Sequence, residues 1–377
     1  MKLLYVTNSF RAGGAERHLL NLARDMVMHN HQVWVAVLER KIHGETHSLE
    51  PAFVEAGVNV VHLKSYGMID IGRWLSLLRL AKKLRPDIIH SHLPRSDLSA
   101  SVVKFLFPDI YWISTIHDTY TKDKYSGYWV FPFVKWNWHR GNYFIAVSKQ
   151  VEKWAIKRFA LPQTKISVIY HGVPLYEIAD LHEKKRGDSL RIGTLARFEK
   201  RKGIETLVRA MPGVIKTFPS TQLLLAGNDP TNYSYVIKAL VRQLNIEDNV
   251  KIIGFCPTPI EFLQELDIFA FASLSEGFGI SLTEAMSVKR PVVASNIYPI
   301  NHIVQDDVSG LLAKPNDHHS FENAFIQLLG DSEKRQRMGE AGYQRCINEF
   351  SLEKSLNKVH EIYLKIISKE RNYNNYR

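Results

Sequence analysis

The sequence predicts an α/β protein made of two doubly wound parallel-sheet lobes in succession. Three observations point there. The chain has 377 residues, enough for two domains. Short runs rich in Val, Ile and Leu alternate with longer amphipathic stretches, as parallel strands under helices do. The alternation pauses near residue 170 and then starts afresh. With 45% hydrophobic and 23% charged residues, the composition supports sizeable cores and argues against disorder.

In the first half the strand candidates are 3–8, 32–38, 58–63, 87–92, 110–117 and 143–148. The stretch 15–29 between them places Leu19, Leu22, Ala23 and Met26 at helical spacing. Pro86 stops the helix that begins near Ile71. At 166–174 the pattern pauses, and a charged segment, 183–189, leads into the second half. There the strand candidates are 191–196, 222–227, 250–255, 267–273, 291–295 and 310–314. The last helical pattern, 352–370, follows no new strand. In two such lobes facing across a cleft, ligands gather at the C-terminal strand ends.

The charge is uneven. The whole chain carries +11, and residues 1–170 hold 23 basic against 13 acidic side chains, nearly the entire excess. One lobe therefore suits an anionic partner: nucleic acid, a membrane surface or a phosphorylated substrate. Cys256 and Cys346 are far apart and match no zinc pattern, which fits a reducing compartment. The N-terminal apolar run is too short for a signal peptide, and no stretch is long enough to span a bilayer.

Three loops carry residues suited to chemistry. Gly13 and Gly14 lie between the first strand and first helix, where unpaired N–H groups favour an anion; neither a P-loop nor a GxGxxG pattern is present. In the second half Arg197, Lys200, Arg201 and Lys202 precede Gly203 at a helix start, a crowding of cations that argues for a bound diphosphate. The third loop is SLSEGFGISLTEAM (273–286). Its Gly277 and Gly279 free the backbone to approach a ligand, and the carboxylates Glu276 and Glu284 are acceptors suited to sugar hydroxyls. His90, His92 and His117 fall near strand ends. For the first two we expect one packed and one lining the cleft rather than a metal pair; His117 is the better functional candidate.

Together, EGFG within E-x7-E (Glu276 to Glu284), Arg197 and Lys202 opening the second half, the early Gly13-Gly14 loop and His117 resemble the retaining GT-B glycosyltransferases of glycosyltransferase family 4. The resemblance runs over almost the whole chain. It implies two Rossmann-like lobes: 1–170, holding the acceptor and joined by a final helix (352–377) that crosses back, and 171–351, holding a nucleotide-sugar. Arg197 and Lys202 would grip the donor diphosphate. Glu276 would accept hydrogen bonds from the transferred hexose, with backbone contacts from Gly277, Phe278 and Gly279. Glu284 would hold the ribose, and Ile253 and Gly254 would meet the base. Gly13 and Gly14 would line the cleft opposite the diphosphate, with His117 beside the reacting sugar. The chain departs from the pattern at His171, where relatives often carry Asn, and at Ala196, where Gly is common.

The expected reaction is retaining transfer of a hexose from a UDP- or GDP-sugar to a lipid-linked or polysaccharide-precursor acceptor. No D-x-D occurs in the chain, so neither metal nor other cofactor is expected. The segment 111–140 holds ten Phe, Trp or Tyr residues with interleaved cations. Lys122, Lys124, Trp129, Lys135, Trp136, Trp138 and Arg140 are therefore candidates for an anionic membrane surface or the acceptor, placing the protein peripherally on the inner face of the plasma membrane. A nucleotide-sugar epimerase or a phosphorylase could share the architecture. A nucleic-acid-binding protein would explain the charge but not E-x7-E.

Overall fold

Seven parallel strands form the first sheet: β1 (Lys2–Thr7), β2 (Gln32–Val37), β3 (Asn59–His62), β4 (Ile88–His92), β5 (Tyr111–Ile116), β6 (Tyr143–Ala146) and β7 (Ile166–Val168). Their order is β3-β2-β1-β4-β5-β6-β7. The structure is a computed structural model that describes residues 1–11, 13–38, 48–63, 71–119, 138–176 and 189–374, without the side chains of 71 and 369–374. The helices α1 (Gly14–Met28), α2 (Glu50–Glu55), α3 (Ile71–Leu84), α4 (Pro94–Leu106) and α5 (Lys149–Phe159) connect these strands. Helix α1 buries Leu19, Leu22, Ala23 and Met26, the stripe its spacing predicts. Helix α3 ends at Leu84; Arg85 turns to a positive φ and Pro86 prevents a further helical turn.

The second sheet has the order β10-β9-β8-β11-β12-β13. Its strands are β8 (Arg191–Leu195), β9 (Gln222–Ala226), β10 (Val250–Gly254), β11 (Ile268–Phe271), β12 (Val292–Ser295) and β13 (Gly310–Ala313). The helices here are α6 (Ile204–Thr217), α7 (Ser234–Gln243), α8 (Pro259–Gln264), α9 (Ile280–Ser287), α10 (Ile300–Ile303), α11 (His318–Gly330) and α12 (Ser332–Glu349). One core, with Leu207, Met211, Leu223, Ile268 and Phe325 all fully buried, joins the helices to the sheet.

The chain divides into two units, Met1–Gly172 with Glu353–Arg377, and Val173–Leu352. The terminal helix α13 (Leu352–Asn374) thus belongs, from Glu353 on, to the first unit. Leu356, Val359 and Tyr363 are its buried stripe, at the i, i+3 and i+7 spacing of one helix face. The Tyr363 hydroxyl donates to that of Tyr5 on β1 at 3.2 Å and lies 2.5 Å from His90 Nδ1 on β4. These bonds satisfy polar tips that would otherwise be buried unpaired.

Two expectations change. Strand β7 falls where the pattern pauses; three residues are too few to show alternation, and pairing with β6 makes it a strand. Trp138 is no surface anchor. It is 1% exposed, with its ring centroid 5.1 Å from Phe144 and 4.0 Å from Phe159. An aromatic-rich segment can serve a core as well as an interface, and here the core takes it. Trp138→Ala is therefore expected to cost about 3–5 kcal/mol in urea unfolding, where a surface role would leave stability unchanged. Arg140 is half-buried, its guanidinium 4.6 Å above the Phe105 ring. Lys122, Lys124, Trp129, Lys135 and Trp136 lie outside the described residues, as does most of 183–189. Among the described residues no helix is long and apolar enough to cross a membrane.

Candidate functional site

In each sheet the strand order reverses once, and the loops leaving the strands there open a crevice for ligands. In the second unit the reversal lies between β8 and β11. The loop after β8 is Ala196–Gly203, and the loop after β11 is Ala272–Gly279. These are the two loops whose composition suggested chemistry, and the topology sets them side by side. The Leu274 N–H donates to the Arg201 carbonyl at 2.8 Å. Gly203 takes a φ of +64°, and a Cβ there would come within 2.1 Å of the Ala272 carbonyl oxygen. Only glycine permits that approach.

The cations here do not crowd one another unopposed. Glu199 pairs with Arg197 (3.0 Å) and with Arg201 (2.9 Å), while Lys202 Nζ lies 2.5 Å from Glu276 Oε1. Two carboxylates of the protein pair with three of the four cations, so the crowding is partly relieved and the loop keeps an excess of positive charge. Burial alone would raise the Glu276 carboxyl, but Lys202 and Arg201 outweigh it and hold it below its ordinary range. Arg197 stays half-exposed and accessible to a ligand.

Helix α9 starts immediately after Gly279, whose φ of +118° lets the chain turn into it. Gly277 is buried, and the Phe278 ring packs edge-on against Phe350 at 5.7 Å. The Phe278 side chain is therefore committed to the core. Glu284, the fifth residue of α9, is half-buried. Near the end of β10 the pairing with β9 shifts between Ile252 and Gly254. The shift leaves Ile253 49% exposed, and Gly254, at φ +78°, faces open space. An exposed aliphatic side chain beside a bare backbone is a suitable platform for a flat ring.

In the first unit the reversal lies between β1 and β4. Gly13 is the N-cap of α1, without a side-chain cap, and Gly14 is the first residue of the helix. His117 follows β5, and both its nitrogens meet other imidazoles: His92 Nδ1 lies 3.0 Å from His117 Nε2, and His171 Nε2 lies 3.2 Å from His117 Nδ1. His18 of α1 stands edge-on to His171 at 4.4 Å. Burial pushes His117 down to about 3 and His18 down to about 4, and lowers His90, His92 and His171 strongly, so all five rings are neutral near pH 7. The expectation that one of His90 and His92 is packed and the other open is wrong. Residues i and i+2 share a strand face, and both rings are buried and stacked at 4.5 Å. Among the described residues no group of ligating side chains is arranged to hold a metal.

Sequence reasoning missed two features. Glu199 lies inside the basic run and was visible as its one acid. The imidazole chain draws on β4, β5 and the stretch after β7, and only the sheet order brings those together.

Residues 12–177 match the family profile described as Glycosyltransferase Family 4, and residues 179–345 that described as Glycosyl transferases group 1. A curated relative is N-acetyl-alpha-D-glucosaminyl L-malate synthase of Bacillus anthracis, 24% identical over 329 residues and covering 85% of each chain. Another is the Escherichia coli UDP-Gal:alpha-D-GlcNAc-diphosphoundecaprenol alpha-1,3-galactosyltransferase, 24% identical over 319 residues, 79% of this chain and 80% of that one. Among solved structures, HepE of Anabaena in complex with UDP and glucose superposes with a TM-score of 0.84 at 18% identity, over 96% of this chain and 99% of that one. The two parallel-sheet lobes are those of GT-B glycosyltransferases.

Proposed function

We propose that the chain, whose two halves match the Glycosyltransferase Family 4 and Glycosyl transferases group 1 profiles, is a retaining hexosyltransferase of family 4 type. It takes a hexose from a UDP- or GDP-sugar and delivers it to a lipid-linked or saccharide acceptor in polysaccharide biosynthesis. The observation that carries this reading is the Lys202–Glu276 ion pair at the strand-order reversal of the second unit, flanked by Arg197 and followed by Glu284. An ionised carboxylate accepts from sugar hydroxyls, and fixed cations stabilise charge building on a leaving diphosphate. HepE, bound to UDP and glucose, and the diphosphoundecaprenol in the Escherichia coli relative's name support donor and acceptor classes of this kind.

In this mechanism Arg197 and Lys202 take the part that a divalent metal plays elsewhere, in keeping with a chain that lacks D-x-D. The acceptor attacks from the face the diphosphate leaves, and a phosphate oxygen takes its proton. Glu284 holds the ribose, and Ile253 with Gly254 meets the base. The +10 of residues 1–170 favours an anionic acceptor or membrane surface, so the protein works peripherally at the inner face of the plasma membrane. Salt-sensitive flotation with anionic vesicles tests that placement.

A thermal-shift panel of UDP- and GDP-sugars tests the donor site, since a ligand of the folded state raises its melting temperature. One nucleotide series is expected to stabilise the protein, and Arg197→Ala and Glu284→Ala are each expected to abolish that shift and cripple transfer without unfolding the chain. Near-normal rates in both variants would overturn the site.

A further inference from the structure

His117 is the residue that the family resemblance would set beside the reacting sugar, yet neither of its ring nitrogens is uncommitted. Nε2 meets His92 Nδ1 at 3.0 Å and Nδ1 meets His171 Nε2 at 3.2 Å. A hydrogen bond between two neutral imidazoles needs one N–H and one lone pair. The three rings are therefore coupled. If His117 carries its proton on Nδ1, it donates to His171 and must accept from His92, so all three rings are Nδ1–H. If it carries it on Nε2, all three are Nε2–H. No mixed set of neutral rings satisfies both contacts.

One atom decides between the two sets. His92 Nε2, at the end of the chain of rings, is buried and has no hydrogen-bond partner among the described residues. Under the Nε2–H set it is a buried donor without an acceptor, which folded proteins almost never tolerate. Under the Nδ1–H set it is only an unused lone pair, a somewhat less rare arrangement. The other end of the chain, His171, has further interactions of its own.

We propose that His92 and His171 are positioning residues that clamp His117 as a neutral Nδ1–H imidazole, His92 donating to its Nε2 and His171 accepting from its Nδ1. This inference rests on the proposed function for its catalytic meaning but not for its geometry. A clamped neutral ring keeps a positive charge away from a reacting sugar that itself becomes cation-like as its bond to phosphate breaks. It also holds the ring in one orientation without conformational search, where a misplacement of about 1 Å costs up to about 100-fold in rate. His171 supplies the acceptor through a ring nitrogen that reaches His117 directly.

Imidazole 15N chemical shifts of the full chain, assigned with single-histidine variants, read the tautomers at pH 7.5. His92, His117 and His171 are expected to be Nδ1–H, opposite to the preference of a free histidine. His171→Leu removes the acceptor and is expected to return His117 to Nε2–H, while His171→Gln, whose amide oxygen can take the place of Nε2, keeps it Nδ1–H. Circular dichroism and melting temperature establish that each variant folds. With donor and acceptor present, His171→Leu is expected to lower kcat by about 10- to 100-fold with the donor KM changed less than about threefold, and His171→Gln to recover most of the loss. An Nε2–H signal for His117 in the unaltered protein overturns the proposal. So does a folded His171→Leu variant with wild-type kcat. Tautomers as expected in a protein that transfers no sugar would instead leave the clamp standing and refute the proposed function.

Discussion

Lys202→Met and Glu276→Gln are each expected to lower kcat/KM for the donor by about 10²–10³-fold, the range associated with one preorganised charge at a reacting centre. The pair is the most enclosed charge pair of the second unit's site, with side chains 13% and 10% exposed and 2.5 Å between Nζ and Oε1. Burial lowers the Lys202 ammonium, and Glu276 pulls the other way. Each group thus keeps the other charged. Removing one partner leaves a largely buried charge uncompensated, which costs up to about 3–5 kcal/mol where burial is complete. Both single variants are therefore expected to lose stability as well as rate, and the two effects separate in the double variant. Lys202→Met with Glu276→Leu replaces both charges with apolar groups, so its urea midpoint should recover while transfer stays lost. Steady-state rates alongside urea unfolding read both. A single variant that keeps transfer within tenfold of the parent would remove the pair from the mechanism.

The candidate donor-site residues were legible in the sequence because they are local. Arg197 and Lys202 are five positions apart and Glu276 and Glu284 eight, so one loop and one helix start present each set. Strand boundaries were also legible, since buried parallel strands read as continuous apolar runs: β1, β2, β4 and β8 fall within a residue or two of the expected limits. What was not legible depends on neighbours far along the chain. The role of Glu199 follows from the direction its carboxylate takes between two arginines. The coupling of His92, His117 and His171 follows from the sheet order β1-β4-β5-β6-β7, which no local pattern encodes. Trp138 illustrates the opposite failure. Its aromatic, basic surroundings suggested an interface, whereas Phe144 and Phe159, nearby in sequence and already in the core, complete its packing.

The first unit is expected to unfold in mild acid, because it holds four buried neutral histidines and a fifth, His117, that is half-buried. His18, His90, His92, His117 and His171 all have folded-state pKa values below the ordinary 6.5, His18 at about 4 and His117 at about 3, and burial is the leading cause for each. In the unfolded chain each binds a proton as pH falls through about 6.5, whereas in the folded unit burial delays this to about 4 for His18, to about 3 for His117 and well below the ordinary value for the other three. Between those limits the unfolded state holds more protons, so stability falls as pH falls. Each pH unit of that window costs about 1.4 kcal/mol per histidine, and a domain has only about 5–15 kcal/mol to lose. Asp97 acts in the opposite sense. Burial raises it to about 7, against the hydroxyls of Ser114 and Ser91 that donate to it, so the folded state holds the extra proton between about 4 and 7 and gains stability as pH falls. One carboxyl cannot offset five imidazoles. Tyr5 and Tyr363, which share the cluster, are raised further above neutrality and do not titrate in this range. The urea midpoint is therefore expected to be steady above pH 7 and to fall steeply between pH 6.5 and 5. Asp97→Asn keeps an acceptor for both serines without burying a charge, and should add roughly 2–4 kcal/mol at pH 8 while leaving the acid limb in place. A midpoint that stays flat from pH 7 to pH 5 would mean that these rings are hydrated, and the tautomer clamp around His117 would lose its dry surroundings with them.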